Sequence, residues 1–342
     1  MFRKAPVLTV VTWSGAYGRA QASALFLPYS QNTGIDVHIA QYDGGLDELR
    51  KQVAAKQFAW DVVDLELPDA TAACRDGLLE PLDTISLPPG AQGTPAKSDF
   101  VPHALGSCWV GSVVYSQVIA YAPKRFGDAK PIAASDFFDL ARFPGPRALR
   151  GSSPKLNLEM ALLADGVPPK DVYRILATDD GMARALAKLD TIRPSIVWWT
   201  RSREAVAMLQ DGRAAFATVL NGDIYDAATH GYAFGVIWDQ QLYELDVFGI
   251  PKGDPRRDMA VDFVRFATSA PSLAAVANWV PYGPARRSAV GLVGNNPELK
   301  IAMRRFLPTA PEHFRTAFAV DDAWWQVHGD QIISRWQAWR NR

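Results

Sequence analysis

The alternation of strand-like and helix-like segments near the start of the chain most constrains its fold. Apolar, β-branched runs at residues 8–13, 35–41 and 60–67 predict strands. Residues 20–30 and 46–55 lie between them and have helical spacing. An order of strand, helix, strand, helix, strand predicts a parallel sheet that is covered by helices.

Ligands of parallel sheets bind beyond the carboxyl ends of the strands. Ser14 and Gly15 follow the first predicted strand, and Glu66 lies at the end of the third. The turn at Ser14 also opens a predicted helix, whose free amide groups can receive an anion. We therefore expect Ser14 and Glu66 to lie at a ligand site.

Charge and hydropathy exclude two classes of protein. The 342 residues include 36 basic and 36 acidic side chains, so the basic excess typical of nucleic-acid binders is missing. No apolar run reaches the length of a membrane span.

Basic residues at the N-terminus followed by an apolar stretch are compatible with a secretion signal, but the threonines at positions 9 and 12 favour a first strand.

Common catalytic and cofactor-binding signatures are missing from the sequence. It has no glycine-rich nucleotide loop, no zinc-protease helix and no nucleophile elbow, and its five histidines have no ligand spacing. We expect no cofactor and no metal site. The alternative of a hydrolase that uses two carboxylates distant in sequence remains. Cys74 and Cys108 are too few for a zinc site, and they predict either one disulfide or two buried thiols.

The second half of the chain contains two adjacent indoles, Trp198 and Trp199, at the end of a predicted strand and next to Arg201. A second strand, at residues 214–220, is predicted to enter a turn at Asn221-Gly222, which is followed by Asp223. Aromatic walls and opposite charges can hold a small charged molecule out of water. The alternative is a core indole pair with a surface arginine.

The C-terminal segment, residues 321–342, contains four tryptophans. Trp325, Ile332, Trp336 and Trp339 fall near one face of a predicted helix. This pattern favours a terminal helix that packs on the core over a lid or a membrane contact.

Several short segments resemble those of the spermidine/putrescine-type extracellular solute-binding proteins of bacterial ABC importers, in order and over nearly the full length. They are Thr12-Trp13-Ser14, Gly34-Ile35-Asp36-Val37, Trp60-Asp61-Val62-Val63, Gly77-Leu78-Leu79-Glu80-Pro81-Leu82-Asp83, Trp198-Trp199, Asn221-Gly222, Ile250-Pro251-Lys252-Gly253 and Tyr282-Gly283-Pro284.

The resemblance implies an α/β, two-lobed periplasmic-binding-protein fold of type II, with hinge strands and the ligand in the interlobe cleft. The first lobe is expected to comprise residues 1–114 and 247–288, and the second 115–246 and 289–342. The protein is expected to be a periplasmic monomer, without enzymatic activity and with its signal peptide removed, that delivers a solute to an ABC permease and ATPase. An oxidising compartment favours a Cys74–Cys108 disulfide.

The ligand expected from the resemblance differs from a polyamine, because several family acids are missing. Residues 152–156 carry none, and Glu244 replaces a tryptophan, although Asp246 is retained and Trp325 is a further match. Arg201 would repel a polycation, whereas its planar fork suits a carboxylate.

The expected ligand is therefore a zwitterion, such as the ω-amino acid 4-aminobutyrate. Arg201 and Asp223 are the expected anchors for its two ends, with Asp246 or Glu66 assisting at the ammonium. The remaining expected contacts are the aromatic walls Trp13, Trp199 and Tyr282, together with a hydrogen bond from Ser14. The alternatives are a polyamine-binding protein and an enzyme that acts on a small amine on the same scaffold.

Overall fold

The computed structural model describes residues 5–342. Its strands are β1 (Val7–Thr12), β2 (Asp36–Gln41), β3 (Val62–Glu66), β4 (Val110–Tyr121), β5 (Arg147–Arg150), β6 (Ile196–Trp199), β7 (Phe216–Leu220), β8 (Gly235–Gly249), β9 (Gly283–Pro284) and β10 (Phe318–Ala319). Its α-helices are α1 (Gly15–Gln21), α2 (Leu27–Thr33), α3 (Asp47–Ala55), α4 (Leu67–Arg75), α5 (Ala96–Asp99), α6 (Asn157–Ala164), α7 (Val172–Leu176), α8 (Asp179–Asp190), α9 (Ser202–Gln210), α10 (Asn221–Thr229), α11 (Arg257–Ala267), α12 (Ala270–Ala277), α13 (Pro311–Phe314) and α14 (Asp322–Arg340).

The chain divides into two compact units. The first contains the residues up to Val114 together with Glu244–Ala310, and the second contains Tyr115–Tyr243 and Pro311–Arg342. The sequence-based division differs in assigning residues 244–246 and 289–310 to the second lobe. In the described residues, no helix has both the length and the apolar composition needed to cross a membrane.

The first unit is built on the parallel strands β2, β1 and β3, in that spatial order, and β8 is antiparallel to β3. Three predicted strands and the helices between them are confirmed. A π-helical segment, Ala22–Phe26, joins α1 to α2, so the helix is longer than predicted. The choice between a secretion signal and a first strand at the N-terminus is decided only in part. Val7–Thr12 is a strand, whereas Met1, Phe2, Arg3 and Lys4 lie outside the described residues.

A disulfide joins Cys74 of α4 to Cys108, which lies shortly before β4. Both cysteines belong to the first unit. The bridge that the resemblance favoured is therefore present, and the alternative of two free thiols is wrong.

The second unit has a mixed sheet in which β4 is antiparallel to β7, and β5 is parallel to both β7 and β6. β10 pairs in parallel with β8. The predicted turn at Asn221-Gly222 is wrong, because α10 begins at Asn221, directly after the extended residue Leu220. Gly222 does not have the positive φ that an Asn-Gly turn requires.

The terminal helix α14 packs on the core of the second unit, as predicted. Trp325, Ile332, Trp336 and Trp339 are all buried on it. The Trp198 ring contacts those of Trp336 and Trp339, with centroids 5.8 Å and 6.1 Å apart. The aromatic face of α14 is therefore a core surface.

Candidate functional site

The predicted site residues of the first unit lie near the ends of β1, β3 and β9 and within β8. We call them, with three neighbours that the sequence prediction missed, the first-unit cluster. Its members are Trp13, Ser14, Tyr17, Tyr42, Asp64, Glu66, Asp246 and Tyr282.

Two aromatic contacts connect this cluster. The Trp13 and Tyr42 ring centroids are 5.1 Å apart, and those of Tyr17 and Tyr282 are 5.4 Å apart. Gly44, at φ +88°, lets the backbone approach Trp13, since a Cβ there would lie 3.1 Å from the indole ring. The two predicted aromatic walls, Trp13 and Tyr282, are thus each held by a tyrosine.

The acids of the cluster share one face of the sheet. Glu66 lies directly opposite Asp246 in the antiparallel β3–β8 pair. Asp64 is two residues before Glu66 and therefore points to the same face. Asp64 is completely buried and Asp246 is 5% exposed, whereas Glu66 is exposed. Like charges on opposed strand positions destabilise a sheet, so this arrangement favours a cationic partner.

Burial governs the protonation of the two inner acids. It raises the pKa of Asp64 to about 7, against the opposing effect of hydrogen bonds from Gln21, Thr12 and Tyr17. Burial also raises the pKa of Asp246 well above its usual range, and the charges of Asp64, Glu66 and Glu244 add to this effect.

Hydrogen bonding in the cluster is incomplete. Oδ2 of Asp64 accepts from Gln21 Nε2 at 2.6 Å and from Thr12 Oγ1 at 3.2 Å, but its buried Oδ1 has no partner. The indole N–H of Trp13 is also buried without a partner. Within residues 5–342, the carboxyl group of Asp246 accepts no hydrogen bond, although the backbone carbonyl of Asp246 accepts one from Ser112. Buried polar groups are normally paired, so Asp64 Oδ1 and the Trp13 N–H point to a ligand.

Sequence reasoning missed Asp64 because it lies inside a β-branched run, where a polar residue is typical of a half-buried strand. The available signal was that Asp64 and Glu66 alternate with apolar residues and lie at the carboxyl end of β3. Such a pattern places both acids on the same face of the sheet.

The second-unit cluster contains the predicted residues Trp199, Arg201 and Asp223 together with Ser202 and Glu204. Trp199 ends β6 and is 6% exposed, and its buried indole N–H has no partner. Neighbouring residues in a strand point to opposite faces of the sheet. Trp198 therefore packs against α14, and Trp199 packs in a different apolar cluster on the other face. Each indole thus packs in an apolar core cluster of the second unit, so the interpretation as a core pair describes both indoles.

Arg201 immediately precedes α9, and its side chain is 80% exposed. Its Nε lies 3.4 Å from Oε1 of Glu204. Glu204 Oε2 accepts the backbone N–H of Thr200 at 2.9 Å and that of Arg201 at 3.4 Å, which caps the helix. These bonds lower the pKa of Glu204, so its charge is held beside the guanidinium.

Asp223 lies in the first turn of α10. Burial raises the pKa of its carboxyl, against the effect of hydrogen bonds from the Leu220 backbone and the Ser202 side chain. Since Ser202 begins α9, the hydrogen bond brings the starts of α9 and α10 together. Oδ2 of Asp223 is buried without a partner, so this oxygen can still accept a bond from a ligand.

Trp325, the further residue suggested by the resemblance, belongs to the core of the second unit. It is 9% exposed, and its indole N–H donates to Oε1 of the buried Glu159 at 2.6 Å. A protein acceptor therefore already satisfies this polar atom. In the described part of the chain, no group of three or more His, Cys, Asp or Glu side chains has the arrangement of a metal site.

Comparisons with known proteins agree with this architecture. The chain is 35% identical over 335 residues to the Gamma-aminobutyric acid-binding protein of Pseudomonas aeruginosa PAO1, covering 98% of this chain and 91% of that protein. It is similar to the solved structure of the Atu4243-GABA receptor, with 31% identity, a TM-score of 0.75 and 97% of each chain covered. It is also similar to an ABC transporter substrate-binding protein from Bradyrhizobium japonicum USDA 110, with 30% identity, a TM-score of 0.78, and coverage of 98% of this chain and 99% of that one. Residues 24–301 match the family described as Bacterial extracellular solute-binding protein, and the chain belongs to that family.

Proposed function

We propose that this protein is the periplasmic substrate-binding component of an ABC importer and that it binds an ω-amino acid, with 4-aminobutyrate as the first candidate. The observation that carries the proposal is the 35% identity, over 98% of the chain, with a protein named for binding gamma-aminobutyric acid. The side-chain chemistry of the two clusters supports a ligand with one anionic and one cationic end.

The second-unit cluster suits the carboxylate end of such a ligand. Arg201 presents a largely exposed guanidinium, whose planar fork can donate two parallel hydrogen bonds to a carboxylate. The adjacent start of α9 adds a favourable helix dipole. Trp199 supplies an apolar wall with a spare N–H donor.

Acidic groups in both clusters suit the ammonium end. Asp223 offers an unpartnered Oδ2, and Asp246 and Glu66 lie opposite each other on β8 and β3. Trp13 and Tyr282 offer aromatic rings, which attract cations. Ser14 caps α1 without using its side chain, so its hydroxyl is available for a short hydrogen bond to the ligand.

In this proposal, ligand binding shifts the population from an open to a closed form. No bond of the ligand is made or broken, and the permease recognises the closed form. The Cys74–Cys108 disulfide is consistent with a periplasmic location, where disulfides persist.

Calorimetric titration with 4-aminobutyrate, butyrate, putrescine, spermidine and succinate tests the proposal. We expect 4-aminobutyrate to bind most tightly, butyrate and putrescine to bind more weakly because each lacks one of the two charges, and the recovered ligand to be unaltered. Chemical conversion of the ligand would support the enzyme alternative.

A polyamine is the second candidate, because the face of β3 and β8 carries Asp64, Glu66, Glu244 and Asp246. Tighter binding of putrescine or spermidine than of 4-aminobutyrate would favour this candidate over the amino acid.

A further inference from the structure

Asp246 is a largely buried residue whose carboxyl group keeps contact with solvent and accepts no hydrogen bond from the described residues. Only 5% of the residue is exposed. The ionised form of a largely buried carboxyl without a partner is disfavoured, and such a group takes up a proton more readily. The side chain therefore needs either a proton or an external cation.

A second buried carboxyl lies close by on the neighbouring strand. Asp64 is paired in register with Phe248, and Glu66 with Asp246, so Asp64 and Asp246 are diagonal neighbours on one face. Asp64 also keeps an unpartnered, buried Oδ1. Two interacting carboxyls titrate as a pair, and in such a pair one proton is released with difficulty.

The other titratable groups around the pair do not supply a positive charge. Glu66 follows Asp64 on β3, and Glu244 precedes Asp246 on β8; both raise the pKa of Asp246. The phenols of Tyr17 and Tyr42 also lie in the field of Asp64 and Asp246, which raises the pKa of each phenol in addition to the effect of burial. Both phenols are therefore neutral near pH 7.

We propose that the Asp64–Asp246 pair holds one proton in the ligand-free protein near neutral pH, and that the ammonium group of the ligand replaces this proton. The inference rests on the proposed function, since it requires an amine-bearing ligand. Asp246 contacts the ammonium, and Asp64 is a positioning residue that sets the charge of Asp246.

The exchange balances in charge and in protons. An alkyl ammonium has a pKa near 10, like lysine, so it enters as the cation and keeps its own proton. The proton of the carboxyl pair leaves to solvent, and one carboxylate becomes the counter-ion of the ligand. The pair thereby selects for a cationic group, because a neutral group of the same shape gives no compensation for ionising a buried acid.

Titration calorimetry of 4-aminobutyrate in phosphate and in Tris at pH 7 measures the exchange, because the two buffers have very different ionisation enthalpies. We expect the wild type to release a measurable fraction of one proton, up to about one, for each ligand bound. Below the midpoint of the pair, we expect the Kd to weaken by up to about tenfold for each unit of pH decrease.

Asp64→Asn tests the role of the positioning residue. Removing this carboxyl lowers the pKa of Asp246, so we expect the midpoint of the pH dependence to move to lower pH and proton release at pH 7 to decrease. Asp258→Asn is the matched control, because Asp258 is a fully exposed acid in the same unit. We expect this variant to keep the wild-type proton release and pH profile.

The outcomes separate this inference from the function it rests on. Binding of 4-aminobutyrate without proton release by the wild type overturns the inference alone, as does an Asp64→Asn profile that coincides with the wild type. Absence of binding for every amine ligand overturns the proposed function and the inference together. If Asp64→Asn fails to fold, the proton release and pH profile of the wild type still decide the matter.

Discussion

The guanidinium of Arg201, the residue before α9, pairs with Glu204 in the first turn of that helix, with 3.4 Å between Nε and Oε1. The ion pair is exposed, so it contributes little stability and can exchange partners. The carboxyl of Asp223, the other expected anchor, interacts instead with the Ser202 side chain and the Leu220 backbone. The two anchors therefore have different local partners, and a ligand carboxylate would compete with Glu204 for Arg201.

Replacing Arg201 with alanine should weaken 4-aminobutyrate binding by about 10- to 150-fold, because a hydrogen bond to a charged group contributes about 1.5–3 kcal/mol. The fold should be retained, since the Arg201 side chain is 80% exposed. Calorimetric titration and thermal unfolding measure the two effects. Arg203→Ala, which removes an exposed arginine of the same helix, should bind as the wild type does. Unchanged affinity in Arg201→Ala would show that the anchor assignment is wrong.

Replacing Glu204 with glutamine should strengthen binding of 4-aminobutyrate by a few-fold. The amide oxygen can still accept the Thr200 N–H that caps α9, whereas the competing negative charge beside Arg201 is lost. The gain should disappear in the Arg201→Ala background, and a double-mutant cycle by calorimetry measures this coupling. Additive effects of the two substitutions would contradict competition for the guanidinium.

Local sequence patterns predicted most of the elements, because alternation and helical spacing follow directly from which face is buried. The Asn221-Gly222 prediction failed because the acidic Asp223 in the first turn favours a helix start where the dipeptide alone favours a turn. Asp64 was missed because its role depends on register with β8, some 180 residues away in sequence. Cross-strand neighbours of this kind are fixed by tertiary pairing, and local patterns do not contain them.

Removing the disulfide by the double substitution Cys74→Ala and Cys108→Ala should lower the free energy of unfolding by about 3–4 kcal/mol. This value follows from the loop of 34 residues that the bridge closes, in the chain-entropy description. Denaturant unfolding of the oxidised wild type and the variant measures the difference. Equal unfolding midpoints would show that the crosslink does not restrict the unfolded chain.

The buried carboxyl of Glu159 should make stability depend on pH. Burial raises its pKa from 4.5 to about 7, although hydrogen bonds, including that from Trp325, oppose the shift. An acid whose pKa is raised by folding contributes fully to stability below its unfolded pKa of about 4.5. This contribution is lost as the pH rises through 7. The ionised form therefore costs roughly 3 kcal/mol at pH 8.

Glu159→Gln isolates this contribution, because the amide oxygen can still accept the Trp325 N–H but cannot ionise. Relative to the wild type, the variant should gain roughly 3 kcal/mol in free energy of unfolding between pH 4.5 and pH 8. Urea unfolding at several pH values measures the gain, and Glu298→Gln, at an exposed acid, should show none. A constant difference between Glu159→Gln and the wild type across this range would mean that Glu159 is ionised throughout. The contact between α14 and α6 would then contain a buried charge, and protonation would not control the stability of that contact.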